Sequence, residues 1–218
     1  MITIDIETRK FTFTKDEQNL ANGATSRKAL ENEFQKLLSK KVPVISLNTL
    51  NISETILKVM IRKYSEQLIF QPLKEMQFWF SYSSGAYIEP GYPPLYYSRS
   101  KGKKVSPNKS AVAGIGEGVA GFISQRLYKA RKLARPNHDF PDIVMESGGV
   151  VYLVESKATL SAEPTKALKM TEEELTRIVS YTSTCVKMDK RKIMGLLVGT
   201  NIINENAYHS YVLEIDIL

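Results

Sequence analysis

A pair of adjacent glycines constrains the fold of this chain more than any other feature of its sequence. Gly148–Gly149 separates two short apolar runs, 143–145 and 150–154. Both glycines tolerate positive φ, so the pair predicts a two-residue turn joining two antiparallel strands. If the strands are paired outward from that turn, Asp142 lies directly opposite Glu155.

That register predicts a chemical site as well as a hairpin. Directly opposed residues project on the same face of a sheet with Cβ atoms about 5 Å apart, and Lys157, two residues beyond Glu155, projects on that face too. Two opposed carboxylates repel each other, and a divalent cation such as Mg²⁺ would reverse the sign of that interaction. A bound cation can activate water and stabilise charge at a transferring phosphate, with the Lys157 ammonium beside it.

An isolated acid on the preceding helical segment adds to this prediction. Glu117 is the single charged residue between positions 111 and 124. Helical character runs from about 111 to 132, and Glu117 lies opposite its apolar stripe, on a face of small residues that allow close approach of another element. An ordinary exposed glutamate is the alternative. Glycine disfavours helix interiors, so the glycines around this position favour a helix that begins near Glu117. The stripe consists of Val112, Ile115, Val119, Phe122, Ile123 and Leu127.

These residues resemble the signature of the PD-(D/E)XK nuclease superfamily, also called restriction-endonuclease-like. The match is Pro141–Asp142, twelve intervening residues, and then Glu155-Ser156-Lys157. That superfamily places an acid on a helix before the motif, the Asp at the start of the second strand, and the E-x-K on the third. The resemblance implies that Asp142, Glu155 and the Ser156 carbonyl bind Mg²⁺, with Mn²⁺ able to substitute. It also implies that Glu117 is a further direct or water-mediated ligand and that Lys157 is the catalytic lysine.

The resemblance extends over about 111–198 and includes one departure. The exonuclease branch of the superfamily carries Q-x-x-x-Y on the later helix, whereas this chain has Arg177 and Tyr181 at the corresponding spacing. The departure weakens assignment to that branch and leaves the superfamily untouched. The first hundred residues carry no resemblance to a known family.

The positive charge of the chain is concentrated in one segment. The whole chain has a net charge of +7, but positions 98–135 contain ten basic residues and one acid, so the remaining residues are slightly acidic. A local basic cluster is the footprint expected for a nucleic-acid partner, and a solvated lysine-rich surface is the alternative. The residues expected to follow a nucleic-acid backbone are Lys101, Lys103, Lys104, Lys109, Arg126, Arg131 and Lys132.

Composition excludes several other classes. With 43% hydrophobic and 24% charged residues the chain is expected to fold. No apolar run approaches the roughly 18 residues of a membrane-spanning helix. The N-terminal residues are acidic where a signal peptide would be basic and apolar, so secretion is not expected. The single Cys185 cannot form an internal disulfide, which suits the cytoplasm.

The pattern of elements predicts an α/β fold with a mixed sheet flanked by helices. Residues 1–100 are expected to form a mainly helical N-terminal extension that selects the substrate, and 101–218 the nuclease core. The extension is predicted to contain two short strands, in 2–6 and 11–13, and helices at 27–40 and 51–68. In the core, Thr171 is expected to begin a helix, and strands are expected at 193–198 and 208–217.

We therefore expect a Mg²⁺-dependent nuclease, an endodeoxyribonuclease of restriction or repair type that works as a homodimer. A catalytically silent nucleic-acid-binding protein on the same fold is the main alternative. The G-x-G-x-x-G pattern at 116–121 favours a dinucleotide-binding oxidoreductase only if it follows a strand directly. His138 lies four residues before Asp142 and is interpreted as an ordinary loop histidine. The sequence does not distinguish DNA from RNA or endonuclease from exonuclease action.

Overall fold

The computed structural model describes residues 1–65, 109–136, 140–161, 163–204 and 206–218. The strands of this part of the chain are β1 (Ile2–Phe13), β2 (Val44–Ile52), β3 (Arg131–Ala134), β4 (Ile143–Ser147), β5 (Val150–Leu160), β6 (Lys192–Asn204) and β7 (Ala207–Ile217). The helices are α1 (Lys15–Ala24), α2 (Lys28–Leu38), α3 (Glu54–Tyr64), α4 (Lys109–Leu127), α5 (Lys166–Glu173) and α6 (Leu175–Val186). None of these helices has the length and apolar character needed to cross a bilayer.

All seven strands belong to one mixed sheet in the order β2-β1-β7-β6-β5-β4-β3. The pairs β1–β7 and β5–β6 are parallel, and the other four pairs are antiparallel. The α/β class and the mixed sheet predicted from the sequence are therefore confirmed.

Each face of the sheet is covered by its own set of helices. On β5, Tyr152 and Val154 belong to the core formed with α3 and α4. Val151 and Leu153 alternate with them and belong to the opposite core, formed with α1, α2, α5 and α6. Because side chains alternate along a strand, Glu155 and Lys157 project toward the side of the sheet that carries α5 and α6.

The N-terminal region is built into this sheet, so the predicted mainly helical extension is not supported. β1 is one strand of twelve residues between β2 and β7, where the sequence predicted two short strands. Ile4 and Ile6 are buried against α3 and α4, whereas Phe11 and Phe13 are buried on the opposite face. The buried face changes along the strand because different helices cover its two ends. The predicted domain boundary after residue 100 falls outside the described residues.

Two N-terminal elements were not predicted. Helix α1 begins with a capping box in which the Thr14 hydroxyl accepts from the Glu17 N–H and the Glu17 carboxylate accepts from the Thr14 N–H. Strand β2 lies at the edge of the sheet and has an uncharged sequence, with Val44 and Leu47 largely exposed. The helices predicted at 27–40 and 51–68 are present as α2 and α3, and the Ser53 side chain caps α3. Asn51 and Ile52 belong instead to β2, and 66–68 lie outside the described residues.

The predicted hairpin and its register are confirmed. Gly148 and Gly149 have φ of 56° and 80°, the positive values that a two-residue hairpin turn requires. Pairing runs outward from Ser147 opposite Val150 to Ile143 opposite Val154. The next pair in this register is Asp142 and Glu155.

Two predicted boundaries in the C-terminal half were wrong. The helix predicted to reach 132 ends at Leu127, and the chain turns at Lys129, which has φ of 54°, into the unpredicted β3. Thr171 does not begin a helix: it is buried within α5, and its hydroxyl donates to the Leu168 carbonyl. The break lies at Glu174, between α5 and α6. The two last predicted strands are present as β6 and β7.

Helix α4 uses its glycines for close packing. Within the described residues it extends from Lys109, so the glycines lie inside the helix, whereas a dinucleotide site requires them at the turn between a strand and a helix. A Cβ at Gly116 would lie 2.5 Å from the Cβ of Ala158 on β5. A Cβ at Gly118 would lie 2.9 Å from the Ile61 backbone nitrogen on α3. The helix is therefore held between α3 and the sheet.

This packing predicts opposite effects for two alanine substitutions in α4. Gly118→Ala is expected to lower the free energy of unfolding by about 1–3 kcal/mol, because the backbone of α3 cannot yield without displacing its core contacts. Gly114→Ala is expected to raise it by up to about 1 kcal/mol, because alanine favours the helix. The new Cβ at Gly114 would meet its nearest neighbour, the Ser65 Oγ, at an ordinary 3.6 Å.

Urea unfolding of the two variants and the wild type measures both effects. Equal destabilisation by the two alanines would contradict the close approach of α3 and α4 at Gly118.

Candidate active site

The paired strands end where two carboxylates meet. The Asp142 N–H donates to Glu155 Oε2 at 3.2 Å, and the Ser156 N–H donates to Asp142 Oδ2 at 2.7 Å. These two bonds continue the β4–β5 ladder with side chains in place of backbone carbonyls. The structure thus brings together Asp142 and Glu155, as the register predicted, with the Ser156 N–H bonded to Asp142.

Both carboxylates are held in an environment that disfavours their charge. Glu155 is 3% exposed. Burial, followed by the charge of Asp142, raises the pKa of Glu155 to about 7, although Lys157 opposes the shift. Burial also raises the pKa of Asp142, against the Ser156 N–H and the charges of Arg135 and Lys157. The pair therefore carries an electrostatic repulsion that a cation would relieve.

Lys157 is a charged neighbour of this pair. Its Nζ lies 2.9 Å from Glu155 Oε1 and 3.2 Å from Glu174 Oε1. Burial alone would lower the pKa of Lys157, but the two carboxylates outweigh it and raise the pKa. Lys157 is accordingly an ammonium at neutral pH, able to donate hydrogen bonds and unable to act as a base.

Glu174 is a site residue that sequence reasoning missed. It forms the junction of α5 and α6, where the sequence had been interpreted as the first turn of one helix. The break turns its carboxylate toward Lys157, and Arg177 lies 3.9 Å away. The sequence shows Glu174 three residues after Thr171, but its contact with Lys157 depends on how α5 packs against the sheet.

Glu117 is buried rather than solvated, which excludes the alternative of an ordinary exposed glutamate. It is 6% exposed, and its Oε2 accepts from Arg135 Nη1 at 3.0 Å. The same nitrogen donates to the Tyr64 carbonyl at the end of α3. Arg135 was counted in the basic segment and not as a site residue. Its charge also opposes the rise in the pKa of Asp142, so Arg135 interacts with both Glu117 and Asp142.

Helix α6 supports the segment that carries Asp142. The Arg177 guanidinium lies 4.3 Å from the centre of the Phe140 ring, and Tyr181 meets the same ring edge-on at 5.4 Å. Phe140 is buried two residues before Asp142. Arg177, which replaces the Gln of the exonuclease pattern, and Tyr181, which matches its Tyr, therefore both anchor the approach to the carboxylate pair.

Two of the predicted ligands, Asp142 and Glu155, suit a hard cation. Asp142 and Glu155 present carboxylate oxygens from adjacent strands, which is the ligand type that Mg²⁺ prefers. Glu117 is instead ion-paired with Arg135. Within the described ranges, no group of three or more His, Cys, Asp or Glu side chains converges to hold a metal ion.

The predicted nucleic-acid-binding residues are described only in part. Lys101, Lys103 and Lys104, together with His138, lie outside the described residues, and Lys109 begins α4. Arg126 is exposed, and its guanidinium lies 5.5 Å from the Phe122 ring centre.

The last two of these basic residues, Arg131 and Lys132, are the first two residues of β3. Arg131 is exposed and pairs with Glu146 at 2.9 Å. Lys132 donates to the Lys63 carbonyl at 2.7 Å. Both side chains lie on the strand that precedes Arg135.

No family model matches this chain, and comparisons with curated proteins and with solved structures found no match either.

Proposed function

We propose that this chain is a Mg²⁺-dependent nuclease that hydrolyses phosphodiester bonds in DNA, as an endonuclease of restriction or repair type. The observation that carries the proposal is the pair formed by the half-buried Asp142 and the buried Glu155, opposed at the end of two paired strands, with the Lys157 ammonium 2.9 Å from Glu155. An exposed strand with a salt bridge would account for Glu155 and Lys157 but would not require an opposed second carboxylate.

The order of elements supports a restriction-endonuclease-like core. Helix α4 carries the buried Glu117 and is followed by three antiparallel strands, β3, β4 and β5. Asp142 immediately precedes the second of these strands, and Glu155 and Lys157 lie on the third. These are the positions at which the superfamily named above carries its acids and lysine.

The chemistry follows from what each side chain can do. Asp142 and Glu155 would hold Mg²⁺, which supplies a Lewis acid for the phosphate and lowers the pKa of water. Lys157, kept cationic by two carboxylates, would donate a hydrogen bond to the phosphate oxygens as negative charge develops in the transition state. Glu174 pairs with the same ammonium as Glu155 and helps to hold it in place. Arg135 would orient Glu117 and favour the ionised form of Asp142.

One observation favours the silent alternative. Glu117 is neutralised by Arg135, so the described residues offer two converging carboxylates rather than three. A protein that binds nucleic acid without cutting it would tolerate that arrangement. A plasmid-cleavage experiment distinguishes the nuclease from the silent binding protein.

Supercoiled plasmid should be nicked or linearised by the wild type in Mg²⁺ and left intact in EDTA. Asp142→Ala should abolish cleavage because it removes one of the two ligands, and Asp16→Ala, at an exposed acid in α1, should cut like the wild type. Gel electrophoresis of the plasmid forms measures the result. A plasmid that stays intact with the wild type but shifts in a salt-sensitive gel assay would favour the silent binding protein.

A further inference from the structure

Three cations gather around the C-terminal end of α3. The Lys132 Nζ donates to the Lys63 carbonyl at 2.7 Å, and Arg135 Nη1 donates to the Tyr64 carbonyl. The ammonium groups of Lys63 and Lys132 lie 5.3 and 5.6 Å from the centre of the Tyr64 ring. A helix C-terminus attracts cations, which accounts for one or two of them there. A third cation at the same helix end increases the electrostatic repulsion among the three.

That repulsion contributes to a lowered pKa of the Lys132 ammonium. Burial, and then the charges of Arg135 and Lys63, lower the pKa of Lys132, and Glu117 opposes them. Glu117 is 6% exposed and already pairs with Arg135, so its charge is shared. An anion placed at this cluster would lower the electrostatic energy of all three cations.

The cluster adjoins the candidate active site without belonging to it. Arg135 is the connection, because its charge acts on Asp142 while its hydrogen bonds reach α3 and Glu117. The carboxylate pair repels phosphate unless a cation is bound, whereas the cluster attracts phosphate directly. Because the Arg135 charge acts on Asp142, a strand bound across the end of β4 can present one phosphate to Asp142 and Glu155 and a neighbouring phosphate to Lys63 and Lys132.

We propose that Lys63, Lys132 and Arg135 form a subsite for a non-scissile phosphate of the DNA strand. The proposal rests on the proposed nuclease function and narrows its substrate class. A substrate must carry at least two phosphates to engage both sites, so a polynucleotide is favoured over a single phosphodiester. Arg135 contributes its charge to the subsite, and the two lysines act as point charges.

The test removes the two lysines together. Lys63→Met combined with Lys132→Met keeps the apolar stems over Tyr64 and removes two charges. The control is Lys28→Met combined with Lys36→Met, which removes the same charge from exposed positions of α2 on the opposite face of the sheet. Both pairs are first compared with the wild type by thermal unfolding.

Binding of a fluorescein-labelled DNA duplex in EDTA is then measured by anisotropy over a range of salt concentrations. The first pair should bind about tenfold more weakly, and its slope of log K against log salt should fall by roughly one, as expected for one lost phosphate contact. The α2 pair should match the wild type. Equal binding by the two pairs, or a wild type that does not bind, would overturn the subsite.

Cleavage in Mg²⁺ separates this proposal from the nuclease function. The ratio of kcat/KM for the duplex to kcat/KM for bis(p-nitrophenyl) phosphate should fall about tenfold in the first pair, matching the loss of binding. An unchanged ratio would count against the subsite while leaving the nuclease intact. Weakened binding in the first pair, with a wild type that cuts neither substrate, would support the subsite and overturn the nuclease.

Discussion

Lys157→Met is expected to slow Mg²⁺-dependent DNA cleavage by roughly 10²- to 10³-fold, the usual cost of removing one donor from the reacting centre. The ammonium is held between Glu155 and Glu174 at 2.9 and 3.2 Å, so methionine removes a positioned charge and not a mobile one. Methionine retains the length of the apolar stem. DNA binding measured in EDTA should change by much less than the cleavage rate.

This variant has to be assayed well above pH 7. Lys157 lowers the pKa of Glu155, so its removal raises that pKa further and weakens metal binding near neutrality. Measuring the rate at a pH well above that value, with saturating Mg²⁺, favours the ionised form of Glu155. Lys169→Met is the matched control, because Lys169 is an exposed lysine on α5 that pairs with Glu163 at 2.7 Å. A Lys157 variant as fast as that control would exclude Lys157 from the chemistry.

Glu155→Gln should make the metal-free protein more stable at pH 8, by on the order of 1–3 kcal/mol. The pKa of Glu155 is about 7 in the folded protein and close to its ordinary 4.5 in the unfolded chain. The folded state therefore holds the proton more tightly. The stability that this proton provides is complete below about pH 4.5 and is lost as the pH rises through about 7. Glutamine is uncharged at every pH and escapes that loss.

Urea unfolding in EDTA at several pH values measures the difference. The gap between Glu155→Gln and the wild type should widen from about pH 5 to pH 8 and then stay level. Added Mg²⁺ should raise the melting temperature of the wild type at pH 8 and leave that of the variant unchanged, because the variant lacks one ligand. Glu33→Gln, at an exposed acid on α2, is the control. A gap that does not depend on pH would contradict the buried, repelled carboxylate.

The part of the site that could be predicted from the sequence is the part built by local rules. A two-residue turn with positive φ at both glycines allows one register, and that register determines which residues oppose each other across β4 and β5. Asp142 and Glu155 are thirteen residues apart in the chain, and the turn between them is nearly the shortest possible. No tertiary information was needed to bring them together.

Residues distant in sequence completed the site in ways that no local rule anticipates. Arg135 reaches Glu117 because the chain turns at Lys129, two residues before β3 begins, whereas the sequence pattern favoured a continued helix. Glu174 reaches Lys157 because α5 breaks where apolar periodicity runs on. Each contact depends on the direction in which an element leaves its turn, and hydrophobic periodicity does not specify that direction.

The position of the N-terminal region was likewise decided by tertiary structure. The alternating residues of β1 indicate a strand, but alternation cannot say which strand it pairs with. Pairing with β7, almost two hundred residues later, places β1 inside the sheet. By itself the sequence determined the hairpin, its opposed carboxylates and the lysine beside them, because a turn and a period of two act over a few residues. Only the packing of helices on both faces decided which charges surround them, because burial and ion pairing depend on elements far apart in the chain.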